Sequence, residues 1–292
     1  MTLKIGSKGE NVKLLQRFLK LKDDGDFGPK TETAVKKWQK TNGLVVDGIV
    51  GPITWNLMGL ASTDLSESID FTNELIINKS YLKPSEYVQG PIKPEYVFIH
   101  HTAGWHNPYN VISAWDRDNR GRIATEFVLG GQSVLGNDNK YDGEIVQAFP
   151  EGNWASHLGA TGSSHMHKNS VGIEVCNFGY LVNGKTYTKH VADESQIVTL
   201  KKPFKGFKTW HRYSDKQISQ LKDLILFIGN RDSIDIREGL PKLIKEKGEK
   251  AFDFSNEAYK GNVKGLLTHT NVRKDKFDMF PQQELIDMLL SL

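Results

Sequence analysis

Two histidines and one aspartate in this sequence have the residue types and spacing of metal ligands. His100 and His269 each end an apolar run typical of a buried strand, and Asp278 follows His269 by nine residues. A strand end holds an imidazole rigidly, and catalytic zinc sites use three protein ligands and keep a fourth position for water. One histidine at a strand end is usually structural, but two of them with a nearby acid favour a metal site.

Glu174 is an acidic residue inside an otherwise apolar predicted strand, 171–176. A carboxylate in such a strand is costly unless it has a function or a partner. Beside a metal site it would be the candidate general base, the group that takes and passes on a proton. A buried ion pair with a lysine is the structural alternative.

Four other residues near these stretches are expected to play structural or surface roles. Successive side chains of a strand face opposite ways, so His101 should point away from the metal and be structural or support the ligands. Cys176 would share the face of Glu174, which leaves its proximity to the site open, although a buried structural cysteine is favoured. His165 and His167 lie in a polar loop and are expected to be solvated.

The first sixty residues contain an internal repeat. Residues 24–31 and 47–54 both read Asp-Gly-x-x-Gly-Pro-x-Thr before a predicted helix, and residues 12–21 are apolar at helical spacing. This pattern predicts a small all-α domain of three helices over residues 1–60. A plain helical bundle, in which the repeated loops are only turns and caps, is the alternative.

The rest of the chain is predicted to be a linker over residues 61–90 and an α+β domain over 91–292, with a mixed central β-sheet flanked by helices. A capping box, Ser214 to Gln217, opens one helix, and Asn183-Gly184 indicates a hairpin. The basic and aromatic stretch 201–208 is interpreted as a solvated loop, with a wall-contacting patch as the alternative. Strands are predicted at 96–101, 124–130, 144–149, 171–176 and 265–269, and helices at 111–115, 218–228 and 282–292.

Composition limits the compartment and the partners. The 292 residues carry a net charge of +3, which is too small to argue for nucleic acid, and one cysteine, which excludes an intrachain disulfide. The N-terminus lacks a secretory signal pattern, and no apolar run reaches the roughly 20 residues that span a bilayer. We therefore expect synthesis in the cytoplasm, without a signal peptide, and a monomer.

Two known families resemble this sequence. Residues 97–103, 169–175 and 268–278 resemble, in order, three motifs of the type 2 N-acetylmuramoyl-L-alanine amidases, over residues 90–292. Residues 3–60, with the doubled phrase, resemble the peptidoglycan-binding type 1 domain. The resemblance implies Zn²⁺ bound by His100, His269 and Asp278, with Glu174 and Lys276 as catalytic residues. It also implies bacterial peptidoglycan, glycan and stem peptide, as the partner of both domains.

The sequence departs from the amidase pattern at two places. Met279 follows Asp278 where the family usually has proline, which leaves Asp275 as the alternative third ligand. Some phage members have a tyrosine in the second strand, where this chain has Glu126, which is interpreted equally as lining the site or as structural. Trp154 and His157 resemble the family's substrate-contacting loop, and a surface loop is the alternative. Lys276 is alternatively a solvated member of the run 273–276.

The function implied by the resemblance is zinc-dependent hydrolysis of the amide bond between N-acetylmuramic acid and L-alanine. A wall-binding module before an amidase, without a signal peptide, is the layout of a phage endolysin, which acts on the cell wall after release and lyses the host. A non-catalytic peptidoglycan receptor on the same fold and a bacterial wall-remodelling amidase are the alternatives.

Overall fold

The structure, a computed structural model, describes residues 3–42, 46–51, 54–55, 58, 75–136, 138–159 and 163–292. The chain divides into two compact units, Met1–Glu74 and Leu75–Leu292, which are described separately. Among the described residues, no helix combines the length and the apolar character needed to cross a bilayer.

The N-terminal unit contains the first two predicted helices, α1 (Glu10–Phe18) and α2 (Pro29–Thr41). Pro29 occupies the first turn of α2, where its missing N–H costs nothing. The third predicted helix and the predicted linker lie largely outside the described residues. The apolar side chains of this unit form their own core, which includes Val12, Leu15, Phe27, Val35, Val50 and Trp55.

The repeated phrase of the N-terminal unit is a turn closed by a glutamine of the preceding helix. Gln16 Nε2 donates to Asp24 Oδ1 at 2.8 Å, and its Oε1 accepts from the Gly25 N–H at 2.9 Å. In the second copy Gln39 makes the same pair of bonds with Asp47 and the glycine after it, at 2.8 and 2.9 Å. Gly25 has a φ of +74°, a conformation that favours glycine. The repeat is therefore a structural device, and sequence analysis had not identified its glutamines.

The second unit is built on a mixed six-stranded sheet, which confirms the predicted fold class. Its strands are β1 (Ile77–Lys79), β2 (Tyr96–His101), β3 (Phe127–Leu129), β4 (Ile145–Gln147), β5 (Ser170–Val175) and β8 (Gly265–Thr268), and two further strands, β6 (Ile197–Phe204) and β7 (Phe207–His211), form a hairpin. The order in the sheet is β1-β4-β3-β5-β2-β8. Only β3 and β4 are antiparallel neighbours. Strand β1 falls within the predicted linker 61–90, so part of that segment belongs to the sheet.

Helices cover the sheet. They are α3 (Pro108–Trp115), α4 (Ser164–Lys168), α5 (Asp215–Asp232), α6 (Leu240–Lys247), α7 (Asn256–Tyr259), α8 (His269–Val272) and α9 (Gln283–Leu290). The capping box at the start of α5 is confirmed, with the Ser214 side chain accepting from the Gln217 N–H at 2.9 Å. The main core joins Ile99 and Ile173 of the sheet to Leu224 of α5. Because side chains alternate along a strand, His100 faces the opposite side of the sheet from this core.

The prediction of a solvated loop at 201–208 is wrong. This stretch is most of the hairpin formed by β6 and β7, which turns at Lys205 and Gly206 with φ values of +49° and +88°. Phe204 and Trp210 are buried in the main core, whereas the lysines of the hairpin stay exposed. The apolar residues thus anchor a strand pair that its basic composition concealed. The hairpin at Asn183 is confirmed, because the residues flanking the turn exchange two backbone hydrogen bonds.

We predict that Gln16→Ala destabilises the N-terminal unit by about 1–3 kcal/mol, since it leaves the buried Gly25 N–H without an acceptor. Hydrogen exchange of the amides of α1 in the full chain would measure the loss. Lys37→Ala, at an exposed position of α2, is the control and should change stability by less than about 0.5 kcal/mol. Equal protection in both variants would contradict the role of the glutamine.

Candidate active site

Three neighbouring parallel strands bring the predicted site residues to one edge of the sheet. His100 in β2 is in register with Glu174 in β5, and Ile99 is in register with Thr268, the last residue of β8. His269 follows Thr268 directly, as the first residue of α8. Parallel strands end at the same edge, so these side chains meet although 169 positions separate the two histidines.

His100, His269 and Asp278 converge in the interior. His100 Nδ1 lies 3.0 Å from His269 Nδ1, and Asp278 Oδ2 lies 3.4 and 3.1 Å from these two nitrogens. All three side chains are buried. This is the one group of three or more His, Cys, Asp or Glu side chains in the described part of the chain that could hold a metal ion. Asp275, the alternative ligand, instead accepts two hydrogen bonds from Arg273 at 2.8 Å.

The three ligand atoms fit a small divalent ion. A tetrahedral ion with bonds of about 2.0 Å holds its ligand atoms about 3.3 Å apart, which matches the observed separations. Burial lowers the pKa of His100 to about 4, so this imidazole is neutral and keeps a lone pair near neutral pH. Burial alone would raise the pKa of Asp278, but hydrogen bonds to both histidines hold it well below its usual range. Two neutral nitrogens and one carboxylate are a donor set that suits zinc.

Glu174 stands beside this group with an unusual acidity. Burial, and then the negative charge of Asp278, raise the pKa of Glu174 to about 8, while the charge of Lys276 opposes them. Among the ion pairs of the described residues, none includes Glu174, which disfavours the structural alternative of a buried ion pair. A carboxyl group with a pKa near neutrality is suited to proton transfer. The half-buried Lys276 also acts electrostatically on His100.

A groove opens next to Glu174. Its volume is about 290 Å³, and three aromatic side chains, Trp105, Trp115 and Tyr187, line it together with Glu174. Tyr187 belongs to the excursion after β5 and is largely exposed, with 58% of its surface accessible. Aromatic faces exposed in a groove can stack on the apolar faces of a sugar or on peptide groups. Sequence analysis missed these residues, since aromatic residues outside regular strands carry no periodic signal.

His157, predicted to contact substrate, lies against the ring of His100. Its Nδ1 is 2.9 Å from His100 Nε2, and its Nε2 is 2.8 Å from Ser170 Oγ. Burial, followed by the charges of neighbouring histidines, lowers its pKa well below the usual range, so the ring is neutral. Both of its nitrogens therefore have protein partners, and substrate contact stays a prediction.

The prediction that His167 is solvated is wrong, whereas His165 is exposed as predicted. His167 lies in α4, and its Nδ1 accepts from the backbone N–H groups of His157 and Leu158 at 3.1 and 3.3 Å. Its Nε2 is 3.2 Å from the carbonyl oxygen of Gly159. His167 thus fastens the loop that carries His157, and these long-range contacts explain why a polar sequence is buried.

Glu126 and Trp154, the other predicted substrate-binding residues, are held by other parts of the unit. The Glu126 carboxylate accepts from Arg231 of α5 at 2.6 and 3.0 Å and from Gln147 at 2.9 Å, which favours its structural interpretation. The backbone of Trp154 exchanges two hydrogen bonds with Val88. A substrate role for Trp154 stays a prediction.

The interpretations of His101 and Cys176 are confirmed. His101 Nδ1 lies 2.8 Å from the Tyr213 hydroxyl and accepts from the Met279 N–H at 3.2 Å, outside the metal-ligand group. Cys176 is a buried free thiol. Burial raises its pKa well above the usual range, so it is uncharged and inert.

Two family models match the chain. The model described as N-acetylmuramoyl-L-alanine amidase matches residues 90–252, and the model described as a peptidoglycan binding domain matches residues 8–58. The first match covers more than half of the chain and includes His100 and Glu174. It ends before His269 and Asp278, which complete the ligand group.

Known proteins resemble parts of the chain. A zinc D-Ala-D-Ala carboxypeptidase of Streptomyces albus G is 39% identical over 79 residues, 24% of this chain and 31% of that protein. The chain thus spans less than a third of that relative's length. The structure of PlyL covers 68% of this chain and 84% of its own, at 15% identity and a TM-score of 0.39. A Burkholderia AP3 phage endolysin covers 22% of this chain and 27% of its own, at 40% identity and a TM-score of 0.20.

We predict that Asp278→Asn abolishes zinc binding, whereas Asp275→Asn preserves it. The first variant replaces a buried anionic ligand by a neutral amide, and the second alters only an exposed pair with Arg273. Equilibrium dialysis followed by elemental analysis would give the zinc content per chain. Zinc retention by Asp278→Asn together with loss in Asp275→Asn would reverse the ligand assignment.

Proposed function

The chain belongs to the N-acetylmuramoyl-L-alanine amidase family, and from that premise we propose that it hydrolyses the amide bond between N-acetylmuramic acid and L-alanine in peptidoglycan, with Zn²⁺ as cofactor. One observation carries the proposal. The group of His100, His269 and Asp278 lies at the same sheet edge as Glu174, which lines the groove.

The residues of the site have complementary roles in this reaction. His100, His269 and Asp278 would hold the ion, which supplies polarisation of the scissile carbonyl and a lowered pKa of water when bound. Glu174 takes the proton of the attacking water and passes it to the leaving amine of L-alanine. The cation of Lys276 compensates the negative charge that develops on the carbonyl oxygen.

The N-terminal unit supports the same substrate. Its match to a peptidoglycan binding domain implies attachment to the wall, which raises the local concentration of the scissile bond without adding to catalysis. The net charge of +3 favours approach to an anionic envelope. Action on the wall as a monomer, as in an endolysin that lyses its host, is the biological role we propose. Wall remodelling by a bacterial enzyme would use the same chemistry.

Mass spectrometry of digested peptidoglycan tests the reaction. The expected products are free stem peptides that begin with L-alanine, together with glycan chains whose lactyl groups are unsubstituted. Cut glycan chains or cross-bridges, with the lactyl-peptide bonds intact, would refute the proposal. Wild-type protein that binds zinc and the wall but releases no product would instead be a peptidoglycan receptor.

We predict that Glu174→Gln lowers kcat by about 10²–10⁴-fold, because the amide cannot accept a proton. Its zinc content should equal that of the wild type, since Glu174 is not one of the grouped ligands. Release of dye from labelled sacculi would give the rate, and elemental analysis the zinc content. Glu151→Gln, at an exposed turn, is the matched control and should keep full activity. Full activity of Glu174→Gln would remove the general-base assignment.

A further inference from the structure

A chain of hydrogen bonds runs from the backbone to the candidate metal site. Ser170 Oγ lies 2.5 Å from the carbonyl oxygen of Met166 and 2.8 Å from His157 Nε2. His157 Nδ1 lies 2.9 Å from His100 Nε2, and His100 Nδ1 faces His269 and Asp278. Each link joins two groups whose donor and acceptor roles depend on the next link.

The proton positions follow from the serine end of the chain. A carbonyl oxygen only accepts, so the Ser170 hydroxyl donates its one proton to Met166. The Ser170 oxygen must then accept from His157, which places the His157 proton on Nε2. The neutral His157 ring has no second proton, so its Nδ1 accepts from His100 Nε2. His100 therefore carries its proton on Nε2 and keeps a bare Nδ1.

The metal end requires the same arrangement. A histidine binds a metal ion through an unprotonated nitrogen, and the nitrogen of His100 in the ligand group is Nδ1. If the Ser170 hydroxyl instead donated to His157, the roles along the chain would reverse. A proton would then point from His100 into the ligand group. The two ends of the chain thus agree without reference to each other.

We propose that Ser170 and His157 are a positioning pair, which fixes the tautomer and orientation of His100 and thereby sets the affinity of the site for Zn²⁺. The identity of the ion rests on the proposed function, whereas the tautomer rests on the hydrogen bonds alone. Partners of a ligand histidine commonly change metal affinity by about 10–100-fold. The pair acts through His100, not on the substrate.

The surroundings hold His157 in place. A Cβ at Gly172 would lie 2.7 Å from the Thr125 side chain and 3.4 Å from the His157 ring, so this glycine leaves room for both. Arg273 donates to the carbonyl oxygen of Leu158 at 2.9 Å, which adds to the bonds from His167. By contrast, the buried Nε2 of His269 has no hydrogen-bond partner among the described residues. The tautomer of one ligand histidine is thus set by its neighbours, and that of the other is not.

Nuclear magnetic resonance of metal-free protein with ¹⁵N-labelled histidine tests the tautomer directly. We expect the His100 signals of a ring protonated at Nε2 and unprotonated at Nδ1, and the same pattern for His157. A His100 ring with its proton on Nδ1 would overturn the proposal. This measurement needs neither zinc nor peptidoglycan, so it is independent of the proposed function.

Zinc titration against a chromophoric chelator tests the consequence. His157→Phe keeps a ring but removes both nitrogens, and it should weaken zinc binding by about 10–100-fold. His157→Asn offers a carbonyl oxygen near the position of Nδ1 and should restore most of that loss. Ser170→Ala should weaken binding and populate the second tautomer of His100. His165→Phe, at an exposed histidine of the same helix as His167, is the control and should bind like the wild type.

Wild-type affinity in His157→Phe, or equal losses in the Phe and Asn variants, would overturn the proposal. If His157→Phe does not fold, Ser170→Ala and the wild-type tautomer decide the question. Zinc binding with the expected tautomer but without amide hydrolysis would refute the proposed function and leave the positioning pair intact. Hydrolysis by a protein with the opposite tautomer would refute only the positioning pair.

Discussion

Two imidazole nitrogens and a carboxylate oxygen face one another at 3.0–3.4 Å in the protein interior. Such atoms repel unless a proton or a cation lies between them, and burial removes the water that would otherwise screen them. The fold supports this arrangement with a rigid frame. Strands β2 and β8 fix where the two histidines begin, and their hydrogen bonds to each other leave little freedom to separate.

The same constraint explains why the site needs polar partners beyond its ligands. An imidazole in a buried site must have its remaining N–H paired, or the unpaired group costs about 1–3 kcal/mol. His100 meets this requirement through His157, which in turn bonds to Ser170 at the start of β5. His167 then satisfies the backbone of the loop that carries His157. A polar network thus extends from the ligands to α4, through residues that touch no substrate group of the proposed reaction.

The strands and the ligand group could be predicted from sequence because both have short-range signals. Apolar runs mark β2 and β8, and the residues that follow them, His100 and His269, are read directly from the chain. The partners of these residues could not be predicted, since His167 and Arg273 reach their contacts only through tertiary packing. The β6–β7 hairpin was missed for a related reason: its exposed lysines dominate the composition, while a few buried aromatic residues decide the structure.

Electrostatics link the ligand group to Glu174. Burial and the negative charge of Asp278 raise the pKa of Glu174 to about 8, so without a cation most of this carboxyl group is protonated at neutral pH and cannot act as a base. A divalent cation bound to Asp278 would offset that negative charge and favour the ionised form of Glu174. The sheet register that places His100 opposite Glu174 therefore does more than bring two residues together. It makes the readiness of the base depend on occupancy of the metal site, so that the two functions of the site are acquired together.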